Sequence, residues 1–282
     1  MIVLITGTSS GIGLATAVTA AKAGFTVVAS MRDPDRDGAL REAADRAGVT
    51  VDVRRLDVTD AASISSCLQD VREEYGRLDA VVNNAGVSNF DPTMEMSTME
   101  ALRANLEVNF FGVVAVSRVA MPLLRAAGGR LLTVGSVHGV VGQPFNEAYA
   151  AAKFAVEGFM ESLAPVAAAH GVRVSVVVPG FVPDTGFGIF PDINRGTIRA
   201  ASGPYAGTFD GYLDWVRGAG WEGAGQSKWE VAEVVVRTLS EDEPPFRVAT
   251  SAWVAEYLAG KLADADGSAV QALARTWIGA TV

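Results

Sequence analysis

Short apolar runs recur along this chain, and each is separated from the next by a stretch long enough for a helix. Ile2–Thr6, Thr26–Ser30, Val49–Leu56, Ala80–Asn83, Arg130–Ser136 and Val172–Val178 are mostly apolar along their length, not alternating. A strand shows that pattern when both of its faces are covered, which is the condition of parallel sheets. The intervening Ala-, Leu- and charge-rich segments, such as Ala61–Tyr75 and Met99–Arg125, are expected to be helices. A repeated β–α–β order implies right-handed crossovers and helices on both faces of the sheet. The fold class expected is therefore α/β, a doubly wound parallel sheet. Glycines 24, 48, 76, 128 and 171 stand before successive strands, where they can end helices in the left-handed conformation.

The length of 282 residues fits one α/β domain, 1–282, with an added lobe. With 49% hydrophobic and 20% charged residues the chain can bury a large core. The regular pattern lapses over Asp184–Lys228, a glycine-rich stretch carrying Phe187, Phe190, Tyr205, Phe209, Tyr212, Trp215 and Trp221. A long segment without strand signals reads as a substrate-binding lobe or lid (184–228). A helix over Glu230–Leu239, a strand over Phe246–Thr250 and a helix over Ala252–Leu262 are expected after it. The net charge of −9 argues against a nucleic-acid or anionic-membrane surface. The lone Cys67 excludes an intramolecular disulfide and a cysteine-cluster metal site, and no metal is expected. The first run begins at Ile2, which leaves no room for a signal peptide. No uninterrupted apolar run reaches the roughly 18 residues of a membrane span. A soluble, cytoplasmic protein without a membrane span is the expectation.

Directly after the first run, Thr6-Gly7-Thr8-Ser9-Ser10-Gly11-Ile12-Gly13 opens a helix. Glycines there permit a tight turn and let backbone N–H groups approach a pyrophosphate at the helix N-terminus. The spacing is Gly-x3-Gly-x-Gly, and its strand–turn–helix setting fits dinucleotide binding better than a plain tight turn. At the end of the second run, Met31 occupies the place where an NAD-binding domain sets an acidic residue for the ribose 2′-hydroxyl. Arg32 follows, and a guanidinium can pair with a 2′-phosphate. The competing reading is an exposed loop arginine partly neutralised by Asp33. The first reading is favoured and makes the cofactor NADP(H). Asp57-Val58 ends the third run, where the carboxylate suits either an adenine amine or a helix N-terminus. Asn84-Ala85-Gly86 ends the fourth run at the same sheet edge, so these turns converge on one crevice.

Tyr149 and Lys153 stand four residues apart in a strongly helical stretch, which puts phenol and ammonium on one face. A free tyrosine has a pKa of about 10, and a nearby cation is expected to lower it. A tuned tyrosine can protonate a nascent alkoxide or take a proton from an alcohol. Alone, Tyr-x3-Lys is a weak motif that any amphipathic helix can contain. Ser136, at the end of the fifth run, suits either a hydrogen bond to the substrate oxygen or the capping of a turn. Asn109, a polar residue in an apolar helical run, suits either a water that connects Lys153 to solvent or a satisfied buried amide.

With these residues in hand, the chain resembles the short-chain dehydrogenase/reductase family over roughly residues 2–182, with a weaker match at the last strand. The resemblance rests on a combination in order: the Thr-Gly-x3-Gly-x-Gly opening, Asn83-Asn84-Ala85-Gly86, the Asn109 segment, Ser136, Tyr149-x3-Lys153 and Pro179-Gly180. It implies a Rossmann fold and a tetrad of Asn109, Ser136, Tyr149 and Lys153. In that tetrad Tyr149 is the general acid/base and Ser136 polarises the carbonyl. Lys153 lowers the tyrosine pKa and binds the nicotinamide ribose, and Asn109 anchors a proton-relay water. Cofactor contacts are implied at Gly7, Ser9, Ser10, Gly11, Ile12, Gly13, Arg32, Asp57, Val58, Asn84, Ala85 and Gly86. They continue at Tyr149, Lys153, Pro179, Gly180 and Val182. The segments Gly142–Tyr149 and Lys153–Gly158 look like the 17β-hydroxysteroid and retinol dehydrogenase branch, which implies hydrophobic ketone or alcohol substrates and, with Arg32, NADP(H). Family members commonly form homodimers or homotetramers. In one departure, Thr185 lies six residues after Pro179, where the family usually places a threonine at five. The lobe aromatics fit an apolar substrate pocket or the lobe's own small core. Two other functions compete with this one. An epimerase or dehydratase of the extended branch is disfavoured by the glycine spacing and modest length. A non-catalytic NADP(H)-sensing regulator would be expected to lack the intact tetrad.

Overall fold

The computed structural model describes residues 1–88, 91–186, 192–218, 223–263 and Thr276, with the backbone alone at 192–194 and 217. Seven strands form one sheet: β1 (Ile2–Thr6), β2 (Thr26–Met31), β3 (Asp52–Arg55), β4 (Ala80–Asn83), β5 (Arg130–Val134), β6 (Arg173–Val178) and β7 (Arg247–Ala249). Their order is β3-β2-β1-β4-β5-β6-β7, and every pairing is parallel. The expected doubly wound α/β class is the observed one.

The continuous apolar runs have the anticipated cause. Leu4, Val28, Val81 and Leu131 enter a core on one face, with side chains from helices α3 (Ala61–Tyr75), α5 (Gly112–Ala127) and α6 (Glu147–Ala168). Their neighbours Val3, Ile5, Val27, Ala29, Val82 and Leu132 enter a second core on the opposite face, against α1 (Gly11–Lys22), α2 (Gly38–Ala47) and α9 (Lys228–Ser240). Period-two alternation is present, but both of its phases are buried.

Three expectations change in detail. The run Val49–Leu56 pairs only over Asp52–Arg55, because β3 is an edge strand with polar, half-buried residues and a partner on one side only. The stretch Met99–Arg125 is not one uniform helix. It runs as α4 (Met99–Leu106), a π-helical turn at Glu107–Phe111 and then α5. Taken together, Met99–Ala127 is by length and composition apolar enough to cross a membrane, although charged residues interrupt its apolar run. In the fold its inner side (Val113, Val116, Ala120 and Leu124) packs in the first core.

Two helices stand in the described part of the lobe, α7 (Asp192–Ala201) and α8 (Ala206–Arg217). Phe209, Tyr212, Leu213 and Val216 form the buried stripe of α8 and pack with Val141, Phe145 and Ala224 in a third cluster. Tyr205 and Trp215 pack against that cluster. These aromatics therefore pack the lobe onto Val141 and Phe145 of the segment before α6; Phe187, Phe190 and Trp221 lie outside the described residues. After the lobe, α9 starts in a capping box of Ser227 and Glu230, and α10 (Ala252–Ala263) follows β7.

Candidate active site

The chain leaves β1 for β2 on one side of the sheet and reaches β4 on the other, so a crevice opens beyond their carboxyl ends. The amide of Asn84 bridges it, donating to the carbonyls of Thr6 (2.9 Å) and Gly7 (3.1 Å). The Thr6 hydroxyl accepts from the backbone N–H groups of Asn84 and Ala85, both at 3.0 Å. A cleft of about 660 Å³ fills this crevice and extends to β5 and α6.

The nucleotide end fits a bound dinucleotide. Gly7 and Gly11 have φ of 72° and 58°, a region that favours glycine, so the turn reverses within a few residues. The first turn of α1 has neither a side-chain cap nor an acidic residue. Its N–H groups thus present a positive end toward the cleft, at a place suited to a pyrophosphate. Gly7, Ser9, Ser10, Gly11 and Ile12 line this end, and Asn84, Ala85 and Gly86 face them across the crevice. Arg32 lines the cleft too, joined by Arg36, which the sequence reading did not select. Both are exposed, and no ion pair is recorded for either among the described residues.

Asp57 and Val58 also border the cleft. Burial works against ionisation of Asp57, but hydrogen bonds from the Thr59 N–H (2.9 Å) and hydroxyl (2.7 Å), with Arg32 and Arg55 nearby, hold its carboxyl below its usual range. The cap of α3 is Asp60, so Asp57 is not the helix-capping residue.

At the other end, Tyr149 and Lys153 project from the first two turns of α6, both buried. Lys153 Nζ donates to the Val134 carbonyl at 3.0 Å and lies 5.7 Å from the centroid of the Tyr149 ring. The Tyr149 and Ser136 hydroxyls hydrogen-bond to one another. Ser136 Oγ also accepts from the His138 N–H at 3.1 Å, so this serine caps the turn that follows β5. Burial pushes the Tyr149 phenol up to about 12 against the pull of Ser136. Burial likewise pushes Lys153 down to about 8. The direction is opposite to the lowering expected from Lys153, because burial disfavours the charged phenolate. With its phenol raised by burial, Tyr149 keeps its proton at neutral pH.

Pro179, Gly180 and Val182 line the cleft. Thr185 does so as well, and its methyl lies 3.5 Å from where a Gly11 side chain would begin. Two selected residues stand behind the wall instead. A Cβ on Gly13 would meet the Gly7 carbonyl oxygen at 2.2 Å and Asn84 Nδ2 at 2.3 Å, so this glycine lets helix and strand approach but does not border the cleft. Asn109 sits in the π-helical turn, fully buried. Its Oδ1 accepts from Val87 N–H (3.0 Å), and its Nδ2 donates to Val87 O (2.8 Å) and Asn105 Oδ1 (2.7 Å). The structure shows this amide satisfied within the protein, where it positions the Val87 backbone in the cleft wall.

The sequence reading also missed His138, Gln143 and Asn146, three buried polar side chains lining the substrate side. Burial holds the His138 imidazole down to about 4, so it is neutral at pH 7. Their signal was visible as polar residues just before a helix, but only the fold brings them beside Tyr149.

The sequence profile of the short chain dehydrogenase family matches residues 1–188. Retinol dehydrogenase 8 of Bos taurus is 37% identical over 273 residues, which cover 94% of this chain and 86% of that one. Human 17-beta-hydroxysteroid dehydrogenase type 1 is 34% identical over 276 residues, covering 95% and 82%. Among solved structures, a short-chain dehydrogenase from Streptomyces avermitilis superposes with a TM-score of 0.75 at 28% identity, covering 100% of this chain and 98% of that one.

Proposed function

Since the chain belongs to the short-chain dehydrogenase family and is similar to its retinol and 17β-hydroxysteroid dehydrogenases, we propose that it is an NADP(H)-dependent ketoreductase or alcohol dehydrogenase acting on an apolar substrate. The observation that carries this reading is the buried Tyr149 hydroxyl, bonded to Ser136 and beside Lys153 at the inner end of a cleft whose outer end fits a dinucleotide. NADP(H), when bound, supplies or accepts the hydride. The first turn of α1 would hold its pyrophosphate, and Arg32 with Arg36 its 2′-phosphate, because two guanidiniums at this position attract a phosphate and no acidic residue stands in the Met31 place.

The residues of the chain do the remaining work. Ser136 donates a hydrogen bond to the carbonyl oxygen and holds it against Tyr149. Tyr149 gives its proton to that oxygen as negative charge develops there. Lys153, anchored on Val134, stabilises the phenolate left behind. Val87, Val108, Val137 and Phe181 give the inner cleft apolar walls, which supports a hydrophobic substrate body. A cytoplasmic homodimer or homotetramer belongs to the same proposal, supported for assembly by exposed Phe111, Val119, Phe154 and Val166 on the α5–α6 side. The test is loss of reduced-nicotinamide absorbance with NADPH and a panel of hydrophobic ketones. Turnover is expected with NADPH well above NADH. Tight NADPH binding without turnover across the panel would instead favour a cofactor sensor.

A further inference from the structure

Close to Tyr149, three polar side chains form a chain of hydrogen bonds inside the protein. Asn146 Nδ2 donates to Gln143 Oε1 at 2.9 Å, and Gln143 Nε2 donates to the Tyr212 hydroxyl at 2.5 Å. Asn146 is 3% exposed, Gln143 4% and Tyr212 not at all. Tyr212 belongs to α8, so the lobe's buried core fixes the far end of this shelf. The near end is incomplete: Asn146 Oδ1 is buried and has no hydrogen-bond partner. Buried polar atoms are nearly always satisfied, so such an oxygen calls for a donor from elsewhere.

The backbone shows that this arrangement is imposed. Asn146 occupies the N-cap position of α6, where an asparagine side chain ordinarily accepts from the first-turn N–H groups, yet it makes no such bond. The residue before it, Phe145, has φ of 57°, which a bulky side chain rarely adopts. Phe145 is held there by Phe209, edge-to-face at 5.2 Å between ring centroids, and by Tyr212 at 5.8 Å. Asn146 thus does not cap α6, and it is one of the residues that line the cleft. Asn146 and Tyr149 are three residues apart at the start of one helix, so they share a face.

We propose that Asn146, held by Gln143 and Tyr212, is a specificity-determining residue that accepts a hydrogen bond from a substrate hydroxyl adjacent to the carbonyl that Tyr149 protonates. This deepens the functional reading above and rests on it for the identity of the reacting group. The substrate class is then a ketone with a neighbouring hydroxyl on an otherwise apolar body, or the corresponding vicinal diol in the reverse direction.

The test measures binding apart from turnover. Calorimetry in saturating NADP⁺ compares cyclohexanol with its vicinal diol, and a secondary decanol with its vicinal diol. The wild-type protein is expected to bind each diol about tenfold more tightly, the effect of one added hydrogen bond. Asn146→Leu and Asn146→Ala should bring the two affinities together, and Asn146→Asp, which keeps an acceptor, should restore the preference. NADP⁺ affinity reports whether each variant is folded; if neither truncation folds, the wild-type ratio and Asn146→Asp decide. Equal affinities in the wild type, no binding of either member, or a preference that survives truncation would overturn the proposal. NADPH consumption with the matching hydroxy ketones separates the two readings. A diol preference without turnover refutes the oxidoreductase reading, whereas turnover without the preference refutes the role of Asn146.

Discussion

Gly13→Ala tests whether the nucleotide turn depends on backbone approach. A methyl at Gly13 would lie 2.2 Å from the Gly7 carbonyl oxygen and 2.3 Å from Asn84 Nδ2. Ordinary contact requires these atoms to part by more than about 1 Å. Gly7 cannot recede, because its own Cα side faces Ala85, whose Cα would be 2.7 Å from an added Cβ. Asn84 must therefore release its bonds to Thr6 and Gly7, at about 1 kcal/mol each. Overpacking adds about 2 kcal/mol, and the better helix propensity of alanine returns about 1. The variant should be about 3 kcal/mol less stable, read as a lower urea midpoint at unchanged slope. NADPH affinity should fall with it, since the displaced turn carries the phosphate donors. Gly158→Ala is the control: it lies exposed in α6 with nothing within 4 Å of an added Cβ, and should be neutral or stabilising by up to about 1 kcal/mol. If Gly13→Ala stays within about 0.5 kcal/mol of wild type, close packing of α1 on Gly7 and Asn84 is not what the glycine provides.

Arg32→Asp should remove the NADPH preference and favour NADH, with Arg36→Asp acting in the same direction; unchanged kcat/KM ratios for the two cofactors would refute the 2′-phosphate site. Burial holds His138 near 4 in the folded protein against an ordinary 6.5, so the unfolded chain takes up this proton first on acidification. The associated stability is whole above about pH 6.5 and is lost as pH falls through 4, amounting to about 3 kcal/mol. Denaturation of His138→Gln at pH 7 and pH 4 should show that much less acid sensitivity than wild type, and equal sensitivity would contradict it. Lys153 sits near 8, so ketone reduction should decline as pH rises through about 8 and the ammonium loses its charge. Its replacement in Lys153→Met should lower kcat about a hundredfold and flatten that limb of the profile.

The sheet was legible because its strands are buried on both faces, so sequence apolarity and strand position coincide. Ile2–Thr6 and Ala80–Asn83 were delimited as observed. The edge strand β3 was overextended, since the apolar residues Val49 and Val51 precede Asp52, where pairing with β2 begins. The π-helical turn around Asn109 was not legible, because apolar residues fill both sides of this stretch (Leu106, Val108, Phe110, Phe111 and Val113) and leave no clean stripe whose phase could be seen to shift. In the lobe, glycines and aromatics obscured a readable signal: Phe209, Tyr212, Leu213 and Val216 follow the i, i+3, i+4, i+7 spacing of a helix. The cleft residues named from glycine spacing and strand ends were found where a local rule applies. Arg36, His138, Gln143 and Asn146 were not, since each reaches the cleft only through the packing of a turn or of the lobe.

The account turns on the proton that Tyr149 holds. Tyr149→Phe removes one oxygen and leaves the ring to fill its buried place beside Lys153 and Ser136. NADPH affinity, followed by its fluorescence, should stay within about threefold of wild type, while ketone reduction falls by roughly a thousandfold. Turnover within about tenfold of wild type would contradict the assignment of Tyr149 as the proton donor.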